Sequence, residues 1–488
     1  MTPNRRALLQ GGAALAAALM TPEVVRARAA QTLAADWSLA TADLEGDVPR
    51  QAMRLVHGRA PEGLEGVLFR NGPAKFRRPG GNASHWFDGD GLMRAFRVAD
   101  GRATLEARFA DTPKRRWESE IDAVVTAGFG TAGQPGRAKV GSPDDASAAN
   151  TAVLPLGHKV WALWEGGSPL AMEGRTLATE DFVTLRPDLK GMPFQAHPRI
   201  DPDGSIWNIG LNAGRAVVWR LAPDGALIDA QLLNLTRASY MHDFTATARH
   251  LVLVLQPWIF ARAGMPYSAQ FEWKPEMGTQ VLVVDKADLS RTRIFELPAF
   301  SFFHLGDAWE EADGTIRFDV AAHDDPSFSI AGGRDLLLGK NPPGGPPVMA
   351  LITLGADGRA RLERTGTTGE FPKNDPRRAG LRRRLSAHVA GERDGRPLPT
   401  GLAVQDWDSG RSDCFLFGDG HVVEEFVFAP KASGSAETDA WLIGPSINLR
   451  ERATELHVFE AGRVADGPVA SWRADLTLPA GFHGAWAA

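Results

Sequence analysis

Short runs of β-branched and aromatic residues, separated by Asp-Gly pairs, restrict the fold of this chain more than any other feature. Runs such as Ser205–Ile209, His250–Leu255, Gln280–Val284 and Thr315–Val320 are typical of strands. Asp-Gly favours the positive φ angles of tight hairpin turns. The pairs begin at Asp100, Asp203, Asp224, Asp313, Asp357, Asp394, Asp419 and Asp466. The pattern predicts an all-β array, and only the segment 377–389 has a spacing compatible with a helix.

Composition and charge exclude several classes of protein. The chain has 488 residues, of which 43% are hydrophobic and 23% charged, as in soluble globular proteins. Its net charge of −5 gives no indication of nucleic-acid binding. The single cysteine, Cys414, excludes an intrachain disulfide and a thiolate-based metal site, and we expect it to be a small buried residue.

The N-terminus has the features of an export signal. Arg5 and Arg6 form a twin-arginine pair, an apolar, Ala-rich run follows to Met20, and Ala27-Arg28-Ala29 supplies a cleavage site between small residues. The run is too short to span a bilayer. We therefore expect residues 1–29 to be a Tat-type signal peptide that directs export to the periplasm, and residues 30–488 to be one domain.

Four histidines lie in aromatic, turn-rich settings that are far apart along the chain. They are found in Phe-Gln-Ala-His197-Pro, Tyr-Met-His242-Asp-Phe, Phe-Phe-His304-Leu-Gly and Gly-Phe-His483-Gly-Ala-Trp. A single histidine beside an aromatic residue is more often a core or surface residue than a ligand. Only a fold that returns repeatedly to one axis could gather all four, and neutral imidazoles suit iron, zinc, copper or nickel.

Further segments have a recognisable pattern, namely Gly66–Pro73, His85–Met93, Leu163–Gly167 and Gly369–Pro372. Together with the four histidine segments, and in this order, they resemble the carotenoid cleavage oxygenase family from about Gly63 to the C-terminus. Periodicity by itself is compatible with either a propeller or a large sandwich. The resemblance implies a seven-bladed β-propeller with a dome of loops over one face. It also implies a non-haem ferrous iron enzyme that splits a C=C bond with dioxygen into two carbonyl products.

The resemblance also assigns the residues of the site. The iron ligands would be His197, His242, His304 and His483. Glu165, Glu370 and Glu425 would accept the other ring N–H of a ligand and so orient it, although Glu424 is an alternative to Glu425 in the third segment. His85 opens its motif but is expected to be structural.

Substrate choice depends on two positions. Stilbene-cleaving relatives hold a phenolic hydroxyl with a tyrosine and a lysine, whose counterparts here would be Phe109 and Trp164. Loss of both polar groups favours an apolar polyene, a carotenoid or apocarotenoid, on which Trp164 could stack. Core packing of both residues is an equal alternative, and a stilbene or other phenylpropenoid is the alternative substrate.

Two other kinds of protein are alternatives to the oxygenase. A non-catalytic propeller that binds apolar ligands would need none of the four histidines, and a metal-dependent hydrolase would need carboxylates as ligands. We expect no nucleic-acid partner, and the sequence indicates no particular protein partner. Because carotenoids reside in membranes, the apolar segments Pro257–Phe260 and Met265–Tyr267 are a candidate for peripheral membrane contact, with a buried loop as the alternative.

Overall fold

The computed structural model describes residues 36–212, 214–391 and 397–488. Trp37–Ala488 forms one compact unit. The predicted signal peptide, residues 1–29, and the Asp394-Gly395 turn lie outside the described residues. Among the described helices, none is long and apolar enough to cross a membrane.

Antiparallel sheets follow one another along the chain. The first contains β1 (Val48–Gly58), β2 (Gly66–Arg70), β3 (Leu92–Ala99) and β4 (Arg102–Phe109) in the order β1-β4-β3-β2. The second contains β5 (Ala152–Leu156), β6 (Lys159–Leu163), β7 (Leu170–Glu173) and β8 (Thr179–Phe182). The third contains β9 (Arg199–Ile200), β10 (Ile206–Asn212), β11 (Arg215–Leu221) and β12 (Leu227–Asn234).

The middle of the chain continues the pattern. The fourth sheet has β13 (Thr245–Ala246), β14 (His250–Leu255), β17 (Thr279–Asp285) and β18 (Thr292–Leu297), with a separate hairpin of β15 (Trp258–Phe260) and β16 (Phe271–Trp273). The fifth has β19 (Ser301–Leu305), β20 (Trp309–Glu310), β21 (Ile316–His323), β22 (Val348–Leu354) and β23 (Ala360–Thr368). The sixth has β24 (Glu370–Lys373), β25 (Leu385–Ala390), β26 (Gly401–Asp406) and β27 (Ser412–Leu416).

The C-terminal strands close the molecule onto its N-terminal sheet. They are β28 (His421–Val423), β29 (Val427–Pro430), β30 (Ala440–Asn448), β31 (Ala453–Glu460), β32 (Ala470–Arg473) and β33 (Gly484–Ala487). β32 pairs with β1, and β33 pairs with β2 through Arg70 and Gly484. These two pairings merge the strands of both chain ends into one ten-stranded sheet.

Helices are short and lie in the connections. They are α1 (Pro113–Glu120), α2 (Gly333–Leu337) and a π-helical turn at Phe328–Gly332. The 3₁₀ turns are Trp37–Thr41, Trp86–Asp88, Pro143–Ala146, Pro187–Leu189, Tyr267–Gln270, Pro275–Met277, Pro376–Arg378 and Val464–Asp466.

Asp-Gly pairs form hairpin turns where a positive φ is required. Asp100 and Gly101 have φ of 49° and 72° between β3 and β4, and Gly225 has φ of 87° between β11 and β12. The segment 377–389, whose spacing is compatible with a helix, contains as helical structure only the end of a 3₁₀ turn at Pro376–Arg378. The segment enters β25 instead, whose residues are all buried between β24 and β26, so that tertiary packing outweighs the local periodicity.

Apolar residues of neighbouring sheets form the cores. One cluster joins the second and third sheets, another the third and fourth, and another the fourth and fifth. The cluster that contains Leu68, Leu105, Leu456 and Trp472 lies within the ten-stranded sheet. Sheets that pack face to face with their successors are typical of a propeller.

The structure therefore confirms an all-β, propeller-like arrangement but not seven separate blades. Hydrogen bonding defines five separate sheets of four or five strands in the described chain, beside the ten-stranded sheet. The difference arises because β1 bonds to both β4 and β32, which leaves no break between the terminal strands. Cys414 is exposed, contrary to expectation, because β27 is an outer strand of the sixth sheet.

Candidate metal centre

Each of the four histidines lies in, or just before, a strand at the edge of a sheet. His197 precedes β9, His242 precedes β13, His304 lies in β19, and His483 directly precedes β33. All four side chains are buried. A short strand at the inner edge of each sheet thus delivers one imidazole to a shared point, although 286 positions separate the first histidine from the last (483 − 197).

The ring nitrogens of these histidines converge. One ligand atom from each lies within 4.8 Å of all the others. The Nε2 atom of His242 is 3.0 Å from that of His197 and 3.2 Å from that of His304. Two ligands at right angles around an ion, each about 2.1 Å from it, would be about 3.0 Å apart, so this spacing fits one shared ion.

Three glutamates accept hydrogen bonds from the opposite ring nitrogens. His242 Nδ1 donates to Glu165, His304 Nδ1 donates to Glu370 at 2.5 Å, and His483 Nδ1 donates to Glu425 at 2.8 Å. A proton on Nδ1 leaves Nε2 as a lone pair. Several lone pairs that face one another at about 3 Å repel unless a cation lies between them, and the residues therefore fit a metal ion.

Glu425, and not Glu424, is the carboxylate that meets His483. Glu425 also accepts hydrogen bonds from the Gly484 backbone at 2.7 Å and from Arg70 at 3.2 Å, and it forms an ion pair with Lys373 at 3.3 Å. Glu424 forms an ion pair with Arg70 at 2.9 Å instead of a contact with His483. The two neighbouring carboxylates thus share two cations.

Glu165 and Glu370 have a different charge environment. Among the described side chains, their ion-pair partners are histidines only: His242 for Glu165, and His304 and His323 for Glu370. Arg70 and Lys373 balance the charges of Glu424 and Glu425. The two negative charges left to compensate a divalent cation are therefore those of Glu165 and Glu370.

Burial and neighbouring charges set the pKa values of these groups. Burial, reinforced by the other imidazoles, holds the pKa of His197 and of His483 well below the usual range. Burial also acts to lower the pKa of His242, but the Glu165 carboxylate outweighs it and raises that pKa. Burial would raise the pKa of Glu370, yet His304 and His323 together lower it to about 2. Neutral imidazoles beside ionised carboxylates are the state that binds a metal.

A large cavity opens onto this cluster. Its volume is about 880 Å³, within the range of small-molecule sites. His242, His304 and His483 line it together with Glu165 and Glu370. The remaining wall is largely apolar and includes the aromatic residues Trp86, Phe87, Phe129, Phe303, Phe328, Phe371 and Phe482.

The two residues expected to contact substrate have different positions. Trp164 is half-buried and lines the cavity, directly before Glu165. Phe109 is absent from the described cavity wall and is 4% exposed in the core of the ten-stranded sheet, where Arg115 covers its ring at 4.5 Å. Of the two alternatives for Phe109, its position in the packed interior therefore favours core packing over substrate contact.

The motif that begins at His85 is structural in the described chain. His85 caps the turn Trp86–Asp88 and its Nε2 lies 3.1 Å from the Ser329 carbonyl. Asp88 accepts three backbone N–H groups from residues 129–131, and Asp90 pairs with Arg78 and Lys114. Asp88 and Asp90 thus hold the surrounding loops together.

Comparison with known proteins identifies the family. The family model described as "Retinal pigment epithelial membrane protein" (RPE65) matches residues 40–488. The chain belongs to the RPE65/carotenoid cleavage oxygenase family, and its four buried histidines on a propeller-like fold form a candidate metal site.

Individual relatives cleave different alkenes. The chain is 28% identical to the apocarotenoid-15,15'-oxygenase of Synechocystis, covering 88% of this chain and 92% of the relative. It is 27% identical to the lignostilbene-alpha,beta-dioxygenase isozyme III of Sphingomonas paucimobilis, covering 88% and 93%. A cobalt-substituted Synechocystis apocarotenoid oxygenase superposes with a TM-score of 0.82 at 25% identity, covering 93% and 98%. The relatives are oxygenases that cleave C=C bonds.

Several groups at the site had no signal in the sequence. Lys373 and Arg70 meet Glu425 from two distant strands, and His323 at the end of β21 reaches the cavity. Tyr267 also lines the cavity, although its segment was considered only for membrane contact. Arg70 lies within the recognised segment Gly66–Pro73, and Lys373 directly follows Gly369–Pro372, but neither segment predicted a contact with Glu425.

Proposed function

We propose that this protein is a ferrous, non-haem dioxygenase that cleaves a C=C bond of a carotenoid or apocarotenoid into two carbonyl products. The convergence of four buried imidazoles on one point beside an aromatic cavity carries the proposal. Iron bound there would supply the site at which dioxygen is activated. Imidazoles are good ligands for iron, and family membership favours this ion.

The residues of the chain divide the work. His197, His242, His304 and His483 would hold the ion, and the three glutamates would fix the ring orientations. No described side chain is required as nucleophile or base. The aromatic wall would exclude water and hold the alkene beside the metal centre, as a dry site requires.

The apolar wall favours a polyene as substrate. Trp164 presents a half-buried ring to the cavity, where an extended conjugated chain could stack on it. Trp164 occupies the position directly before Glu165, which is a lysine in stilbene-cleaving relatives. This position therefore contributes no charge to the cavity. Met265 and Val140 are both exposed at the cavity. We propose that these two side chains contact a membrane surface that contains the substrate.

A stilbene or other phenylpropenoid is the second candidate. The chain is 27% identical to a lignostilbene dioxygenase, and Tyr267 adds a hydroxyl to the cavity wall. A panel of substrates separates these two candidates, because the chemistry at the metal would be the same.

The test starts with iron. Protein purified without dioxygen is analysed for iron, wild type against His242→Ala, with the exposed His158→Ala as the matched control. Aerobic assays with a β-apocarotenal and with a hydroxystilbene follow. One iron per chain in the wild type and the control, lost in His242→Ala, with aldehydes from the polyene, supports the proposal.

The other outcomes are equally informative. Aldehydes from the stilbene only would leave the class intact and overturn the choice of polyene. A wild-type protein that takes up no iron after reconstitution would refute the four-histidine centre and favour a non-catalytic ligand-binding propeller.

Two further proposals concern the whole chain. We propose that the ten-stranded sheet is two blades joined through β1 and β32, which makes seven blades, and that the connections lining the cavity form the dome. We also propose Tat-dependent export to the periplasm by residues 1–29. Replacing Arg5 and Arg6 by lysine would then retain the protein in the cytoplasm, and unchanged fractionation would contradict export by this route.

A further inference from the structure

His323 and Glu370 present an unused donor and acceptor to the cavity. Both residues line it, and their side chains are 9% and 16% exposed. Among the described residues, His323 Nε2 has no hydrogen-bond partner. It lies 3.8 Å from Oε1 of Glu370, which is too far for a direct hydrogen bond.

The two groups are held in place from behind. His323 ends β21 opposite Ser301 of β19, and its ring stacks on Phe328 with a centroid distance of 6.1 Å and an angle of 20°. Oε2 of Glu370 accepts from His304 at 2.5 Å and from the Phe371 backbone at 2.6 Å. Oε1 is the oxygen left to face His323.

The chemistry of the pair selects its ligand. A carboxylate at this distance favours the imidazole tautomer with its proton on Nε2, so His323 is a donor and Glu370 an acceptor. One oxygen atom that both accepts and donates can span the gap with two hydrogen bonds of ordinary length. A hydroxyl group does this, whereas a hydrocarbon would leave both buried polar groups unpaired at a cost in free energy.

We propose that His323 and Glu370 bind a hydroxyl group of the alkene substrate, so that this site selects hydroxylated alkenes over their unsubstituted analogues. The inference rests on the proposed function and narrows its substrate class. His323 is thus a specificity-determining residue, and Glu370 has a second role besides orienting His304.

The test is equilibrium binding without dioxygen, read from tryptophan fluorescence of the iron-loaded protein. Two matched pairs of ligands are compared: a 3-hydroxy-β-apocarotenal with β-apocarotenal, and 4-hydroxystilbene with stilbene. Hydrogen bonds to charged groups predict that the wild type binds the hydroxylated member of at least one pair about tenfold more tightly. The pair that discriminates also identifies an alcohol or a phenol as the ligand.

Three variants separate recognition from structure. His323→Phe keeps a ring against Phe328 and should abolish the preference while changing the affinity for the unsubstituted ligand less than about threefold. His323→Gln keeps a donor and should restore part of the preference. His250→Phe is the matched control, because His250 is a half-buried histidine 3.4 Å from the carboxylate of Glu310, away from the cavity.

Distinct outcomes overturn the two proposals. Equal wild-type affinity within both pairs, or equal weakening of all ligands in His323→Phe, would assign the gap to a water molecule and overturn this inference. If aldehydes still form from an alkene, the proposed function stands. Failure of every ligand to bind, with no aldehyde formed, overturns both.

Discussion

Replacing Glu165 by glutamine should mainly lower metal affinity, whereas replacing Glu425 by glutamine should mainly lower folding stability. Both carboxylates accept from a histidine of the metal centre, and glutamine keeps an oxygen that can accept the same bond. The substitutions differ in charge. Glu165 has only His242 as an ion-pair partner among the described side chains, whereas Glu425 is paired with Arg70 and Lys373.

The magnitudes follow from these contacts. Loss of a carboxylate behind a ligating histidine typically lowers metal affinity by about 10- to 100-fold, or about 1.4 to 2.8 kcal/mol, and we expect this for Glu165→Gln. Glu425→Gln leaves the fully buried Arg70 with one carboxylate at 2.9 Å instead of two. Breaking a buried pair costs about 3–5 kcal/mol. Because Arg70 keeps one carboxylate partner, we expect Glu425→Gln to lower the free energy of unfolding by about 3 kcal/mol.

Two assays separate the effects. Ferrous affinity is measured without dioxygen by competition with a chromophoric chelator, and the stability of the metal-free protein by guanidinium denaturation. Glu45→Gln, at an 81% exposed side chain that pairs with Lys75, is the control and should change neither. Wild-type iron affinity in Glu165→Gln, together with an undiminished midpoint in Glu425→Gln, would refute this partition of charge.

Three more substitutions test the surroundings of the centre. Gly369→Ala should lower iron content about tenfold by displacing Glu370, because the new Cβ would lie 2.3 Å from Cδ2 of His388. Gly366→Ala is the control and should leave iron content unchanged, because no described atom lies within 4 Å of its Cβ. Equal iron content in the two variants would contradict the displacement of Glu370. Burial lowers the pKa of His388 to about 4. Since the unfolded value is about 6.5, the unfolded chain takes up the proton first as pH falls from 7 to 5, and stability drops by about 2 kcal/mol. His388→Phe should remove that part of the pH dependence in denaturation curves, and identical slopes would argue against it. Trp164→Leu should raise KM for a polyene about two- to tenfold with little change in kcat, and an unchanged KM would show that the ring does not touch substrate.

Much of the site was predictable because its signals are local. The four histidines, Glu165 and Glu370 were each assigned through a short segment that resembles the family, and the structure brings them together. The third glutamate was less certain, since Glu424 and Glu425 are adjacent and only the direction of each side chain separates them. The choice between core packing and substrate contact for Phe109 stayed open for a related reason: the orientation of its ring is decided by packing of β4 against the rest of the sheet.

The sequence by itself determined the strands, the Asp-Gly turns and the kind of metal ligand, because backbone preference and side-chain chemistry act over a few residues. Only the tertiary structure decided which groups surround those ligands. Arg70, Lys373 and Glu425 come from three separate parts of the chain, as do His323 and Glu370. The pairing of strands from both chain ends in one sheet was likewise decided only by the tertiary structure. Such contacts depend on strand register over hundreds of residues, and no short segment encodes them.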